Sequence, residues 1–111
     1  MAVYVSNIVI EQGYDFQTSF QLEDSRTNGP LELTNASTEA QLRKHYGSST
    51  SVSFASTVAS EKLGIISISL TGPQTVDLKP GRYVFDVKIT NNGIEYKAVE
   101  GAALVRAGVT R

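Results

Sequence analysis

Three observations point to an all-β domain of the sandwich or barrel type. Apolar and polar residues alternate along most of the chain, the alternating runs are short, and each closes at glycine, proline, asparagine or serine-rich punctuation. That is the pattern of strands with one buried and one solvated face. No heptad pattern and no internal repeat competes with it.

Taken in order, Val3 to Glu11 is a β-rich run that Gly13 ends. Phe16, Thr18, Phe20 and Leu22 then alternate with Gln17, Ser19, Gln21 and Glu23, and the cluster Asp24-Ser25-Arg26-Thr27-Asn28-Gly29-Pro30 stops the second strand. In the third segment, Thr38 to Lys44, Thr38, Ala40 and Leu42 share one side. Its residues are also good helix formers, and the setting decides for a strand. Tyr46 to Ser53 contains Gly-Ser-Ser-Thr-Ser and reads as a flexible loop or as the poorly ordered start of the next strand. Val52, Phe54, Ser56 and Val58 form a fourth strand, which Ala59 to Gly64 turns into a fifth, Ile65 to Leu70. Thr71 or Gly72 as cap and Pro73 at the first helical position predict one short turn of helix. Pro80 and Gly81 fit the two central positions of a type II turn.

Arg82 to Thr90 is the clearest strand, with Tyr83, Phe85, Val87 and Ile89 on one face and Arg82, Val84, Asp86 and Lys88 on the other. Asn92-Gly93 supplies a type I′ hairpin turn and returns the chain as Ile94 to Val105. That turn sets Ile89 opposite Tyr96, Val87 opposite Ala98, and Lys88 opposite Lys97, with Asp86 on the diagonal to offset the two lysines. Carried one pair further, the register buries Glu100 against Phe85. A bulge or bend is therefore expected near Gly101.

Seven strands in one domain covering residues 1–111, with a tyrosine just after a Pro-Gly corner, define an immunoglobulin-like antiparallel β-sandwich with a short helical turn before its sixth strand. Sandwiches of this kind often carry a tyrosine near the start of that strand, strand F, whose hydroxyl bonds back to upstream backbone. Tyr83 stands in that place. The expected core is Phe16, Phe20, Leu22, Leu42, Phe54, Ile66, Ile68, Tyr83, Phe85, Val87 and Ile89. Pro80, Gly81, Tyr83, Asn92 and Gly93 are the structural positions.

Composition narrows function mainly by exclusion. Ten Lys and Arg against eleven Asp and Glu leave a net charge of −1 with no basic stripe, so nucleic acid is not an expected partner. The absence of cysteine excludes a disulfide framework, a thiolate metal site and a cysteine nucleophile. The opening MAVYVSNIVIEQG lacks a basic n-region, so no signal peptide is expected. No window approaches the roughly 20 apolar residues that cross a bilayer, so neither is a membrane partner. Asn35-Ala36-Ser37 matches a glycosylation triplet and reads as coincidence.

His45 is the single histidine, so any catalytic relay or metal site would rest on one residue at a strand end. Glu23 and Asp24 are strand neighbours that point to opposite faces. No phosphate-binding loop and no nucleophile elbow occurs. The expectation is a non-enzyme with no catalytic residue, metal, cofactor or small-molecule ligand. Contact candidates are the N-terminal Val3, Tyr4 and Val5, the loop Tyr46 to Ser51 with Ser48 and Ser49, and the C-terminal Val105 to Arg111, including Val109. Tyr4, Tyr14 and Tyr46 are alternatively a stacking platform, although tyrosines on a sandwich are more often packing residues.

Several segments occur in a recognisable order: an opening strand ending in Gln12-Gly13, Asp15 to Phe20, Leu33-Thr34, Ala40 to Lys44, Gly64 to Thr71, Gln74-Thr75, Leu78 to Val87, Glu100-Gly101 and Val109-Thr110-Arg111. The set resembles the small immunoglobulin-like structural proteins of tailed bacteriophages, related to the N-terminal domain of the siphophage baseplate upper protein. The resemblance implies a non-enzymatic building block of a tail, baseplate or neck, located in the virion and, during assembly, in the host cytoplasm. Its implied partners are other virion proteins of the tail, baseplate, neck or capsid, and copies of itself. The Ser/Thr-rich stretch from Gly47 to Ser53 departs from a tight connection and is expected to be partner-specific. With the sequence ending at Arg111, a receptor-presenting role is not expected. A capsid decoration protein of the same fold is the nearest alternative. A carbohydrate-binding or adhesion module, with Tyr4 and Tyr14 as contacts, is the alternative of another class.

Overall fold

The computed structural model describes residues 4–24, 29–49 and 51–109, without the side chains of Tyr4 and Asp24. Val3 and Arg111 lie outside the described residues. The strands are β1 (Tyr4–Val5), β2 (Ile8–Glu11), β3 (Phe16–Gln21), β4 (Glu23–Asp24), β5 (Gly29–Pro30), β6 (Ser37–Arg43), β7 (Val52–Ser60), β8 (Ile65–Leu70), β9 (Gly81–Asn91) and β10 (Ile94–Arg106). One helical turn, α1 (Gly72–Val76), connects β8 to β9. The fold is all-β, as the alternation predicts.

Apart from the small β4–β5 hairpin, the strands follow one hydrogen-bonded path, β1-β10-β9-β6-β7-β8-β3, with β2 also on β10. β1 and β2 run parallel to β10 and occupy the same edge in succession, which gives about seven strand positions. The first half of β7 pairs with β6 (Ala40 with Phe54, Leu42 with Val52), while its second half pairs with β8 (Ala55 with Ser69 through Ser60 with Ile65). This change of partner bends the path around one interior, and the sheet becomes a nearly closed barrel. Inside, Phe54 lies 6.1 Å from Phe16 and 6.3 Å from Phe85, and Phe85 lies 6.4 Å from Phe20, between ring centroids. Those spacings suit offset or edge contacts between aromatic rings.

The β9–β10 hairpin follows the sequence for four residues and then departs from it. Asn92 and Gly93 have φ of 54° and 78°, as a type I′ turn requires. Tyr96 faces Ile89 and Lys97 faces Lys88. The register shifts between Lys97 and Val99, so Val87 faces Val99 and Ala98 is the extra residue. The expected bulge exists, but it lies three positions before Gly101. Ala98 and Val99 are small enough to turn inward together, and both are buried. Glu100 thereby comes opposite Asp86 on the solvent side, and Gly101 opposite Phe85. The glycine is obligatory for a second reason: a Cβ there would lie 1.6 Å from the Ser6 carbonyl oxygen, where the β1–β2 edge crosses over.

Three further expectations need correction. Gly81 is already the first residue of β9 with φ +146°, far wider than the roughly +80° of a type II turn, so Pro80-Gly81 makes an open corner. Val105 belongs to the core at 1% exposure, because the bulge sets the phase of β10 and turns Ala103 and Val105 inward. Phe16 and Tyr83 are only partly buried against a core that also takes in Ile8, Ile10, Leu31, Leu33, Leu70 and Leu78. Asn35 has φ 61° and its N–H donates to Glu61 Oε2 at 3.0 Å. Asparagine tolerates the left-handed region, which explains the residue without a glycan.

The two ends of the path, β2 and β3, are consecutive in the chain, and residues 12–15 join them. This turn is fastened to α1. Thr75, completely buried, donates its hydroxyl to the Tyr14 carbonyl at 2.8 Å and accepts the Gly13 N–H at 3.0 Å. Gln12 Nε2 donates to the Leu78 carbonyl at 2.9 Å, and Asp15 Oδ1 accepts the Gly72 N–H at 2.6 Å. Gln74 Oε1 in turn accepts the Thr71 N–H at 2.9 Å, holding the start of the turn. Thr75→Val keeps the shape and removes the partner of two part-buried backbone groups, the Gly13 N–H and the Tyr14 carbonyl, at about 1 kcal/mol each. The expected fall in thermal midpoint is roughly 10 °C or more, since 1 kcal/mol moves a domain of this size by about 4–8 °C. Thr75→Ser should lose less than half as much, and thermal unfolding of the two variants side by side checks the difference.

Candidate interaction surface

Of the residues expected to make contacts, the structure leaves Val5, Tyr46, Ser49 and Val109 exposed, at 71% for Val5, 69% for Tyr46 and 94% for Val109. Tyr4 contributes backbone pairing with Val99. Ser48 is held in a closed turn: its N–H donates to the His45 carbonyl at 3.0 Å and its carbonyl accepts from Arg43 Nη1. Val105 is removed from the set by its burial.

The strand register assembles a surface that the sequence reading did not single out. Residues opposite one another on adjacent strands share a face. Val9 faces Leu104, which faces Arg82; Ala102 faces Val84, which faces Arg43. All of these side chains point outward, away from the buried Ile8, Ile10, Ala103, Val105 and Phe85. Tyr46 closes one side, around a dent of about 30 Å³ lined by Gln41, Arg43, Val84, Phe85 and Asp86. A dent of that volume has room for about one water molecule. The result is an apolar band from Val9 through Leu104, Ala102 and Val84 to Tyr46. Val84 stands among the outward residues of β9 in the sequence itself, and that misplaced apolar residue is the signal that was there to be read.

Charges border the band. Toward the hairpin tip, Lys88 Nζ lies 3.5 Å from Glu39 and 3.8 Å from Glu95, while Lys97 Nζ lies 3.1 Å from Glu100 and 3.9 Å from Asp86. The two lysines that oppose each other are thus separated by carboxylates, and Asp86 takes the part expected of it. At the other end, Arg106 Nε lies 3.5 Å from Glu11. Lys97 is held above its ordinary value by the hydrogen bond to Glu100; burial opposes this, and the charges of Glu100, Asp86 and Tyr46 add to it.

The outer face of β7, β8 and β3 is different in kind. Its rows are Gln17, Ser69 and Ala55, then Ser19, Ser67 and Thr57. None of these is charged. Gln17 Nε2 donates to Ser67 Oγ at 3.4 Å, so the amide lies flat on the face.

The corner residues converge on a shared structural role. Tyr83 donates its hydroxyl to the Lys79 carbonyl at 2.8 Å, and Lys44 Nζ sits 4.7 Å from the Tyr83 ring centroid. A surface trough of about 420 Å³ runs beside them, lined by Leu42, Lys44, Val52, Lys79, Pro80 and Tyr83 among others. A second of about 470 Å³, lined by Ser37, Thr38, Ser56, Thr57 and Glu61 among others, opens where β7 leaves β6. Among the described residues, no three His, Asp or Glu side chains converge on a point that would hold a metal ion. No described helix is long and apolar enough to cross a membrane. Tyr14 and Tyr46 stand on different elements, one beside α1 and the other over the outer face of β6 and β9.

Fold and surface together define an all-β domain of about seven strands with one short helical turn and two unlike outer faces. No protein-family model matches the chain, and no curated protein matches it. Among solved structures it is similar to Listeria monocytogenes InlP, at 15% identity over 91% of this chain and 26% of that one, with a TM-score of 0.50. It is also similar to a family 123 glycoside hydrolase from Clostridium perfringens, at 14% identity over 100% of this chain and 24% of that one, with a TM-score of 0.44. The chain spans about a quarter of the length of each. The likeness to InlP bears on the path of the chain alone.

The charge cluster makes a testable prediction. Exposed pairs contribute about 0–1 kcal/mol and are screened by salt. A lysine whose pKa rises on folding stabilises fully below its unfolded value, 10.5, and loses that contribution as pH climbs through the folded value. Denaturant unfolding of Lys97→Met should therefore show at most about 1 kcal/mol of lost stability at neutral pH. The difference should shrink in high salt and disappear in strong alkali.

Proposed function

We propose that the chain is an immunoglobulin-like sandwich serving as a structural protein of a tailed-bacteriophage virion, in a tail, baseplate or neck, and acting through protein–protein contacts. In the sandwich reading, β1/β2, β10, β9, β6 and the first half of β7 form one layer, and the second half of β7 with β8 and β3 forms the other. The change of partner within β7, the Phe20–Phe85 contact across the interior and the Tyr83 corner support it.

The observation that carries the virion reading is the ordered set of sequence segments, and its members have related physical jobs. Gln12-Gly13, Asp15 and Thr75 supply the hydrogen bonds that tie the 12–15 turn to α1 and the residues just after it, and Gln74 holds the start of α1 through Thr71. Leu78 to Val87 is the corner and the central strand. Glu100-Gly101 is the crossing point beneath Ser6. A shared order of segments that all serve one architecture favours common construction over chance likeness. The apolar band on the outer face of β2, β10 and β9 is the surface on which a neighbour in the particle would rest.

Particles sedimented from infected cells that make this chain should carry it. The Leu104→Glu variant should fall at least about tenfold in the particle fraction, as an unpaired charge in a buried contact costs a few kcal/mol. Its thermal midpoint should stay within a few degrees of the parent, because Leu104 is exposed in the single chain. A chain that never travels with particles sinks the reading.

A further inference from the structure

We infer that β3 is a docking edge for a second copy of this chain, the two β3 strands pairing antiparallel about a two-fold axis. β3 ends the hydrogen-bonded path, and among the described residues no strand pairs with its other side. Its register on β8 (Phe16 with Leu70 through Gln21 with Ile65) continues in the Leu22 N–H to Gly64 carbonyl bond of 2.8 Å. Hydrogen-bonded positions alternate along an antiparallel pair. The even-numbered residues of β3 therefore direct their backbone groups to β8, and Gln17, Ser19 and Gln21 direct theirs to the open side.

Sheet edges in monomeric proteins are guarded by charge, proline, a bulge or brevity. The β1/β2 edge has such guards: it is interrupted at Ser6-Asn7 and carries Glu11 beside Arg106. β3 has none. It is a regular six-residue strand, FQTSFQ, without charge, proline or a register shift.

The same features select the occupant. A two-fold contact requires the edge to complement itself. Centred on Thr18, an antiparallel pair sets Gln17 opposite the second copy's Ser19 and Phe16 opposite the second copy's Phe20. Every opposed pair then lies on one face, the open backbone groups of both strands meet, and no like charges face each other. Phe16 and Thr18, half-buried in the single chain, gain cover. The uncharged outer rows of β3, β8 and β7 continue into their copies as one flat face. Nothing on β3 offers a charge that would select a charged partner.

The inference rests on the fold and is independent of the virion reading. Its test is sedimentation equilibrium of the purified full chain over roughly a hundredfold range of concentration, beside Ser19→Pro. The Ser19 N–H lies on the open side, where proline costs no β3–β8 bond, so the variant should fold. The parent should show a monomer–dimer equilibrium, and Ser19→Pro should weaken it at least about tenfold. Should the proline variant fail to fold, Ser19→Lys, which puts like charges near each other across the axis, is expected to give the same loss. A parent that stays monomeric throughout, or folded variants that associate as the parent does, would overturn the inference. A monomeric chain that still enters particles would overturn it and leave the virion reading standing.

Discussion

Strands β2 and β3 follow one another in the chain yet stand at opposite ends of the hydrogen-bonded path, so the sheet has a seam that no ladder bonds close. What spans it, at one end and without covering the open side of β3, is the short turn at residues 12–15, fixed to α1 and the residues just after it by a completely buried hydroxyl, an amide and a carboxylate. The hydroxyl matters most. A backbone group left unpaired costs more the further it is shielded from water, and Thr75, itself completely buried, pairs the part-buried Gly13 N–H and Tyr14 carbonyl. With that turn in place, Ile8 and Ile10 on one side and Phe20 and Leu22 on the other meet over one core. Without it, the two edges have only apolar contact to hold them in register.

Much of this was legible in the residues, and the exceptions have physical causes. β9 could be read outright because its alternation is unbroken and its turn is an Asn-Gly pair. In β10 the buried-carboxylate conflict at Glu100 announced a register shift without saying where it falls, since any small apolar residue upstream can absorb it. Ala98 does, and the phase of everything after it follows, Val105 included. Leu31 and Leu33 enter the core from a link whose Leu-Glu-Leu alternation, buried then exposed then buried, is too short to stand out as a strand. Thr75 sits in a polar stretch, and one threonine there looks like any other until the turn it serves is folded against it.

The two outer faces follow from the same frame. The bulge that removes Glu100 from the interior delivers it to the cluster around Lys97, and the shifted phase sets Ala102 and Leu104 beside Val84 and Val9. One packing accommodation therefore produces both a charged field and an apolar band on one side of the domain. The opposite side, built from β3, β8 and the second half of β7, receives no charge at all. It presents the one unguarded edge of the path. The contrast gives the domain two chemically distinct surfaces.

The central claim is that the seam is part of the cooperative core rather than a loop resting on it. Native-state amide hydrogen exchange at Gly13 tests it most directly, because that N–H is bonded only through Thr75. The account predicts that Gly13 exchanges with the same opening free energy as central-strand amides such as Val87, by global unfolding. Exchange at Gly13 through a low-energy local opening, while Val87 remains protected, would show that the two edges stay together without the turn and contradict the account.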